Sequence, residues 1–574
     1  MHSGTLRNPA RCPEIEIAIM TTSANDLRLW GWLKPDAPDL LKNHPAMAAF
    51  LAERMGLAKL GERPPLPLRE EQVEPSRLSP ETLVILKNLL GGQSVDVSAL
   101  GRAKSSIGQS YTDHLRRRSG LPGPVVDCVV HVTDRHQLQP LVELARDHGF
   151  RLIPVGGATN VVGAFDGIQG EKPLVALSMA QLDRVLSVNE IDRTVTVEAG
   201  ISLVAIEKEL ALRNFTLGHF PQSFHGATVG GSLMANGAGQ VSDLYGRMSD
   251  MLVSARLVTP QGMWATEPFR HAGAGPWLGS LVAGSEGLFG ILADVTLKIR
   301  PQPQMIEDRA WYLPSFGAGC EVLRHLAQDG HGMAMLRLSD PAETEFYGRV
   351  RLMSKGLQRP GFLERSFLAF KNAPQNPALL MGAFEGQSAS RNEAFRQVDA
   401  AVKKHGGVSL GTGPGKSWRK SRFDTPHLRE SILAHDLAVD TFETATTWSG
   451  MEALHQDLLS SLERAGSDVL SGNRRAIAFS HVSHTYAEGA SLYATMIFQR
   501  GDEPLAEWHA VKAAAAKAIH RAGATISHHH GLGFMHATDA LNEKSEIGRR
   551  LLGAIRNQLD PQNILASGAE NWIG

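Results

Sequence analysis

Three consecutive histidines, His528, His529 and His530, stand before the run Gly-Leu-Gly near the end of the chain. Imidazole changes charge near neutral pH, so such a group can bind a phosphate or a departing carboxylate and move protons. The pattern over 524–530 predicts a strand, on which His528 and His530 face one side and His529 the other. A metal site is the alternative, but three adjacent residues of a regular strand cannot all point at one ion. The pattern therefore indicates a functional cluster.

A tyrosine, Tyr486, follows His484 and precedes the pair Gly489-Ala490. A free phenol titrates at about pH 10, but beside cationic groups it can accept a proton from a substrate. The alternative is a packed tyrosine whose hydroxyl is hydrogen-bonded. The packed tyrosine is the commoner case, and the position between a histidine and a Gly-Ala turn makes acid–base chemistry a stronger alternative here.

Arg429 lies ahead of a stretch through Asp440 and Glu443 that reads as helical. A guanidinium group presents a fork of N–H donors that suits a phosphate. The alternative is an ion pair with Glu430 or Glu443, and the residue types alone do not separate the two interpretations.

Glycine-rich segments recur at 154–160, 228–239 and 284–292. The first continues a short strand into consecutive glycines, whose missing Cβ atoms let backbone N–H groups approach a pyrophosphate. It is neither a GxGxxG segment nor a GxxxxGK[ST] loop, and alone it could be a plain turn. Because the small-residue pattern occurs three times, the sequence indicates one long dinucleotide held against close backbone.

Regular elements are predicted around the first glycine segment. A strand at 125–132, a helix at 137–148 and a strand at 151–155 form a βαβ unit. Strands at 194–197 and 252–258 extend the same domain, because they are rich in β-branched or alternating apolar residues.

The two ends of the chain read as helical. A helix is predicted after Pro45, and the pair Trp30 and Trp32 is expected to pack onto a neighbouring domain. Near the other end, Leu505 to Ala522 predicts a helix closed by Gly523, and Glu543 to Leu559 predicts the last one.

With 574 residues, the chain is long enough for two to four domains. We predict four parts: a mostly helical N-terminal region at 1–115, a cofactor-binding domain at 116–302, a cap or substrate domain at 303–515, and a C-terminal segment at 516–574 that returns to the cofactor site.

Composition excludes several functions. The 58 basic and 59 acidic residues give a net charge of −1, so there is no broad electrostatic footprint for nucleic acid. No run of about 18 or more uncharged apolar residues is present to span a membrane. The three cysteines form no CxxC pair, so neither a disulfide framework nor a zinc site is indicated. No secretory signal is recognised, and we expect a cytoplasmic protein.

The motifs resemble, in their order, the vanillyl-alcohol-oxidase type of flavoprotein. They are PVGGATN at 154–160, VEAGI at 197–201, ATVGGSLMANGAG at 227–239, GSEGLFGIL at 284–292 and DPQNIL at 560–565. The resemblance implies an α+β fold, with a vanillyl-alcohol-oxidase or PCMH-type FAD-binding domain, an α+β cap domain and a helical N-terminal region. Some relatives bond the flavin through a histidine where this chain has Ala158, so non-covalent FAD is expected.

The resemblance assigns the cofactor to three groups of residues. They are Pro154, Val155, Gly156, Gly157, Ala158, Thr159 and Asn160; Gln222, Ser223, Phe224, His225, Gly226, Ala227 and Thr228, with Ala235, Asn236, Gly237 and Ala238; and Glu286, Gly287, Leu288, Phe289, Gly290, Ile291 and Leu292.

Two segments indicate the branch of the family. Metal-linked hydroxy-acid dehydrogenases carry GHxGDGNxH-like and EHGxG segments, where this chain has Tyr493 and His529. The set of metal ligands is therefore incomplete, and no bound metal is expected. The segments resemble instead those of the alkyldihydroxyacetonephosphate synthase family. That resemblance assigns catalytic roles to Tyr486, His528, His529, His530, Arg337 and His219, and substrate phosphate binding to Arg429.

The resemblance implies an ether-forming transferase. A fatty alcohol would replace the acyl chain of acyl-dihydroxyacetone phosphate through an adduct at flavin N5, without net redox change. A homodimer, a lipid-like substrate and peripheral membrane contact are also expected. The apolar segments at 312–316 and 351–370 are the candidates for the lipid contact, and the alternative for the charges of 351–370 is a solvated face. Phe220 and Gln222 stand where the synthases usually have acidic residues, so an FAD-dependent oxidoreductase acting on a 2-hydroxy acid or an aromatic alcohol is the alternative. Arg337 could also be an interface arginine, and His219 a core histidine.

Overall fold

The structure is a computed structural model that describes residues 37–168, 170–357, 359–468 and 475–572. The predicted contact of Trp30 and Trp32 lies outside the described residues.

Helices are distributed over the whole described chain. They are α1 (Leu40–Asn43), α2 (Pro45–Met55), α3 (Pro80–Leu90), α4 (Ala99–Lys104), α5 (Tyr111–Arg118), α6 (Leu138–His148), α7 (Leu203–Ala211), α8 (Val229–Met234), α9 (Ser242–Tyr245), α10 (Met248–Met251), α11 (Phe316–Asp329), α12 (Pro341–Ser354), α13 (Phe362–Phe370), α14 (Ser388–Lys404), α15 (Gly413–Ser421), α16 (Thr425–Ala434), α17 (Met451–Asp468), α18 (Pro504–Arg521), α19 (Gly533–Leu541) and α20 (Glu546–Leu559).

The strands fall into two main groups along the chain. They are β1 (Val95–Asp96), β2 (Cys128–His131), β3 (Arg151–Val155), β4 (Leu174–Ser178), β5 (Val185–Asn189), β6 (Thr194–Glu198), β7 (Phe215–Thr216), β8 (Leu252–Thr259), β9 (Gly262–Ala265), β10 (Ile291–Lys298), β11 (Arg300–Pro301), β12 (Met305–Leu313), β13 (Met335–Ser339), β14 (Ala378–Gly386), β15 (Val408–Gly411), β16 (Leu437–Thr447), β17 (Ala476–Thr485) and β18 (Gly489–Gln499).

The first group builds two sheets beside the glycine segments. One has the order β1-β2-β4-β3, with β2, β4 and β3 parallel, and the other is antiparallel with the order β5-β6-β10-β8-β9. The predicted strand–helix–strand unit is present as β2, α6 and β3. Its two strands are not neighbours, however, because β4 pairs with both and lies between them.

The second group forms one antiparallel sheet with the order β15-β12-β14-β13-β17-β18-β16. One face packs on helices, since Leu336 and Leu380 belong to a core with residues of α11, α14, α17 and α18. Met335 and Met381, on the opposite face, belong to the core of the first two sheets. Because side chains alternate along a strand, this opposite face turns toward the glycine segments.

The helix predicted after Pro45 is confirmed as α2, with Met47, Phe50, Leu51 and Met55 buried. The helix predicted from Leu505 is confirmed as α18, and Gly523 follows it with a positive φ of 64°. The last helix is α20, which begins at Glu546.

Two predictions of secondary structure are wrong. The stretch through Asp440 and Glu443 is strand β16 and not a helix, because it pairs along its whole length with β18. The segment 524–530 is not a strand, and Thr525 makes an isolated bridge with Ala445. Side-chain carboxylates, described below, take the backbone N–H groups that a sheet would have used.

In the part of the chain that the structure describes, no helix combines the length and the apolar character required to cross a membrane.

Candidate active site

A cavity of about 1390 Å³ lies between the two glycine-segment sheets and the seven-stranded sheet. Alternate residues of the cap strands line it, such as Arg337 on β13, His481 on β17 and Tyr493 on β18. The glycine segments form its opposite wall. The cavity therefore has one wall of main chain and one wall of ionisable side chains.

The main-chain wall leaves no room for larger residues. A Cβ added to Gly157 would lie 1.7 Å from the carbonyl oxygen of Gly226, and one added to Gly156 would lie 2.3 Å from the Thr228 hydroxyl oxygen. Ala158 has a φ of 52°, a left-handed conformation that turns the loop at this point. Such a cradle brings backbone N–H groups close to a ligand, as a pyrophosphate requires, so the residues present fit a dinucleotide.

The assigned cofactor residues divide into two groups. Those that line the cavity are residues 154–160, Gln222, Ser223, Ala227, Thr228, Ala235, Gly237, Ala238, Glu286, Gly287, Gly290 and Leu292. Those that do not line it are Phe224, His225, Gly226, Asn236, Leu288, Phe289 and Ile291. Phe224, for example, is buried and stacked on Phe423 at 5.4 Å. The second group does not form the surface of the cavity, and its buried apolar members Phe224, Leu288, Phe289 and Ile291 support the wall.

A row of polar side chains crosses the cap sheet. Strand pairing sets Glu443 opposite Tyr493, Tyr493 opposite His481, and His481 opposite Ser339. The His481 ring is stacked on the Tyr493 ring, with centroids 5.0 Å apart. Burial, the largest cause, raises the pKa of Tyr493 to about 12. The row places a protonated phenol at the centre of the side-chain wall.

Arg337 lies at the end of this row, paired with a buried carboxylate. Its Nη2 donates to Oε1 of Glu343 at 3.1 Å, and Nδ1 of His481 lies 2.8 Å from the same oxygen. His481 and Arg337 hold the pKa of Glu343 at about 2 although burial acts in the opposite direction. Arg337 thus lines the cavity and is held by two residues of its own domain, Glu343 and His481.

Arg429, on α16, keeps two N–H groups available to a ligand. Its Nη1 donates to the main-chain oxygen of Gln109 at 2.8 Å. Its Nε and Nη2 are buried and have no hydrogen-bond partner among the described residues. Burial lowers the pKa of Arg429, yet a guanidinium stays charged at neutral pH. A buried cation with open donors on the cavity wall suits an anionic group.

The three histidines lie in a loop before α19. His529 and His530 line the cavity, whereas His528 does not, and its Nε2 lies 2.7 Å from the Tyr486 hydroxyl. The alternation expected from a strand, with His528 and His530 on one side, is therefore wrong. Burial lowers the pKa of His530 to about 3 and that of His528 well below its usual range. Both rings are neutral at neutral pH, so they offer hydrogen bonds and not the charge expected from the sequence.

Ring nitrogens of His484, His528 and His529 lie within 4.8 Å of one another and could hold a metal ion. Each ring of the first two is already hydrogen-bonded through both nitrogens. His484 contacts the main-chain oxygen of Gly239 at 3.0 Å and the Ser483 hydroxyl at 2.8 Å. These hydrogen bonds occupy both ring nitrogens of His484 and of His528. The absence of a metal stays a prediction.

Two tyrosines compete for the proton-transfer role. Tyr486 follows the end of β17 and does not line the cavity, but it reaches His529 through His528, whose Nδ1 lies 3.0 Å from the Nδ1 of His529. Tyr493 lines the cavity directly. The sequence pattern selected Tyr486, and the alternation along β18, where apolar Leu492 and Ala494 flank Tyr493, could have indicated the second tyrosine.

His219 is the most isolated polar group in the site. It lines the cavity, is 1% exposed, and neither ring nitrogen has a hydrogen-bond partner among the described residues. Burial lowers its pKa to about 3. A satisfied core histidine would have both nitrogens bonded, so these open nitrogens favour contact with a bound group.

Two separate regions of the chain match known protein families. Residues 126–266 match the FAD binding domain family, and residues 303–569 match the C-terminal domain of FAD linked oxidases. The alkyldihydroxyacetonephosphate synthase of Dictyostelium discoideum is 28% identical over 515 residues, covering 88% of this chain and 83% of the relative.

Solved structures share the fold. An alkyldihydroxyacetonephosphate synthase crystal structure superposes with a TM-score of 0.80 and 24% identity, covering 95% of this chain and 99% of its own. A p-cresol methylhydroxylase with substrate bound gives a TM-score of 0.66 at 14% identity, covering 87% and 98%.

The chain is therefore an FAD-dependent enzyme, with an FAD-binding domain followed by an FAD-linked-oxidase C-terminal domain. Within that class, it resembles the alkyldihydroxyacetonephosphate synthases over most of its length.

Proposed function

We propose that the enzyme exchanges the acyl chain of acyl-dihydroxyacetone phosphate for a fatty alcohol. The C1–O bond to the acyl group breaks, a C1–O bond to the alcohol forms, and the fatty acid leaves with the proton of the alcohol. No electrons are gained or lost overall. The observation that carries the proposal is Arg429, a buried cation with two open donors, beside Tyr493 in the cavity that carries the FAD motifs.

FAD is held by the main-chain wall, and Ala158 offers no side-chain atom for a covalent bond, which supports non-covalent binding. When bound, FAD supplies a nucleophilic ring nitrogen and ends the cycle in the oxidation state in which it began.

Arg429 holds the substrate phosphate through Nε and Nη2, because these donors are buried and have no described partner. Fixing the phosphate orients the reacting carbon, and such positioning lowers the activation barrier. His529 and His530 bind the remaining polar groups of the substrate, since both rings line the cavity.

Tyr493 moves the proton at C1. Its phenol is protonated in the free enzyme, because burial raises its pKa to about 12. It can donate to the leaving carboxylate, and the phenolate that results can take the C1 proton. The nearby Arg429 charge lowers the phenol pKa and so stabilises that phenolate. Tyr486 supports this site indirectly: its hydroxyl contacts His528, and His528 contacts His529, which lines the cavity.

The acyl chain occupies an apolar extension of the same cavity. Its lining residues come from α1, α2, α12 and α13, and include Leu40, Met47, Phe346, Val350, Phe367 and Leu368. Such a surface suits an alkyl chain, whose transfer from water is driven by burial of apolar area.

The exposed side of α13 contacts the surface of an anionic membrane. Phe362 and Phe370 are 73% and 82% exposed, while Phe367 lines the cavity from the same helix. Arg365 and Lys371 beside them suit anionic headgroups. Phe362→Ser with Phe370→Ser should reduce sedimentation with phosphatidylglycerol vesicles but leave turnover of a detergent-dispersed substrate intact. Unchanged sedimentation would rule out this contact.

Turnover without an electron acceptor tests the exchange. Palmitoyl-dihydroxyacetone phosphate and hexadecanol are mixed anaerobically with the enzyme, and lipid products are identified by mass spectrometry. The ether and free palmitate should form in equal amounts. If neither forms, and a hydroxy acid or an aromatic alcohol instead reduces a dye acceptor, the enzyme is the oxidoreductase of the alternative, in which Arg429 would bind a carboxylate.

A further inference from the structure

The loop that carries the three histidines is held by carboxylates. Glu543 receives the Ile526 N–H at 2.5 Å and the Thr525 hydroxyl at 2.8 Å. Glu286, on the cofactor wall, receives the N–H groups of Leu532 and Gly533. The histidines themselves lie between these two anchoring points.

Glu443 anchors this central part. Its Oε1 accepts the N–H groups of His529 at 2.8 Å and His530 at 2.7 Å, and its Oε2 accepts that of His528 at 2.7 Å. The Ser527 hydroxyl donates to Oε1 at 2.7 Å. One carboxylate thus binds three consecutive backbone N–H groups and a hydroxyl.

The chemistry of the site requires an ionised group here. Four donors converge on two oxygens, which matches the acceptor capacity of a carboxylate and exceeds that of an amide, whose NH₂ would face N–H groups. The histidines hold the pKa of Glu443 well below its usual range although burial opposes this. Glu443 also stands opposite Tyr493 on the neighbouring strand, so the loop and the phenol share one support.

We propose that Glu443 is a positioning residue, which holds His529 and His530 against the cavity through the backbone N–H groups of residues 528–530. The inference deepens the proposed function, because it concerns the same cavity. Glu443 does not line the cavity among the described residues. Besides accepting the backbone N–H groups, its Oε2 lies 3.3 Å from Nδ1 of His529, so it also supports that ring.

Hydrogen exchange and steady-state kinetics test the proposal together on the FAD-loaded enzyme. Glu443→Gln should speed exchange of the amides at 528–530 at least about 10-fold, while those at 532–533, held by Glu286, keep their protection. It should lower kcat about 100-fold with a smaller change in KM and with FAD retained. Glu443→Asp restores an ionised acceptor and should recover part of both losses.

Glu543→Gln is the matched control, because Glu543 is a carboxylate that anchors the same loop but lies away from the cavity. It should speed exchange of the Ile526 amide, which donates to Glu543, and leave kcat within about threefold of the wild type. If Glu443→Gln fails to retain FAD, Glu443→Asp carries the test, with about a 10-fold loss of kcat expected.

Unchanged exchange at 528–530 in Glu443→Gln, or faster exchange with unchanged kcat, would overturn the proposal. Lost activity with unchanged exchange would overturn it too, since Glu443 would then act by another route. Because exchange is independent of the substrate, it still reports on Glu443 if the acyl exchange fails. The kinetic comparison is then made with the substrate that reduces the dye acceptor.

Discussion

The two walls of the cavity are built on different principles. The cofactor wall uses backbone atoms, and its sequence requirement is the absence of side chains, as Gly156 and Gly157 show. The opposite wall uses ionisable side chains that converge from β13, β16, β17, β18, helix α16 and the histidine loop. The difference shows that each segment of a main-chain wall follows from a short local pattern of small residues, whereas a side-chain wall depends on the register of distant strands.

The largest expected effect is on the cofactor wall. In Gly157→Ala, the new Cβ would lie 1.7 Å from the Gly226 carbonyl oxygen, so the loop must move. We expect purified protein without FAD absorbance and without activity. Gly273→Ala is the control, since a Cβ there meets nothing within 4 Å. Full FAD content in Gly157→Ala would show that the cradle is not formed by close backbone.

The next largest effect is expected at the chemical step, with FAD binding unchanged. Tyr493→Phe removes the phenol proton and should lower kcat about 1000-fold, while the FAD spectrum and its occupancy are retained. Stopped-flow single turnover measures the loss at the chemical step. A near-normal kcat in Tyr493→Phe would show that another group moves the proton at C1.

Arg429 should affect binding more than chemistry. Arg429→Gln leaves hydrogen-bonding capacity but removes the charge, so kcat/KM for the phosphate substrate should fall about 100-fold, mainly through KM. A dephosphorylated substrate analogue should be nearly insensitive to the change. If both substrates lose equally, Arg429 does not bind the phosphate.

Tyr486→Phe should have the smallest effect. The tyrosine acts at one remove through His528, so losing its hydroxyl should lower kcat less than about 10-fold. The comparison with Tyr493→Phe, in the same assay, distinguishes the two tyrosines. A loss for Tyr486→Phe as large as that for Tyr493→Phe would restore Tyr486 to the chemical step.

The sequence was sufficient to locate the glycine segments of the cofactor wall, but not to assemble the side-chain wall. The glycine segments, β3 and α18 follow from local patterns, because turn geometry, helix capping and β-branched runs act within a few residues. The strand predicted at 524–530 failed because Glu443, some 80 residues earlier, takes its N–H groups. Tyr493 was not predicted for a related reason, since its place on the cavity wall depends on how β18 pairs with β17, and the role of Tyr486 stays a prediction.

The fate of the alcohol oxygen tests the central claim most directly. Hexadecanol labelled with ¹⁸O is supplied with palmitoyl-dihydroxyacetone phosphate under anaerobic conditions, and the products are analysed by mass spectrometry. Breaking of the C1–O bond predicts ¹⁸O in the ether and unlabelled palmitate, with no electron acceptor consumed. Label in a hexadecyl palmitate ester, or product only when an acceptor is reduced, would contradict the proposed exchange.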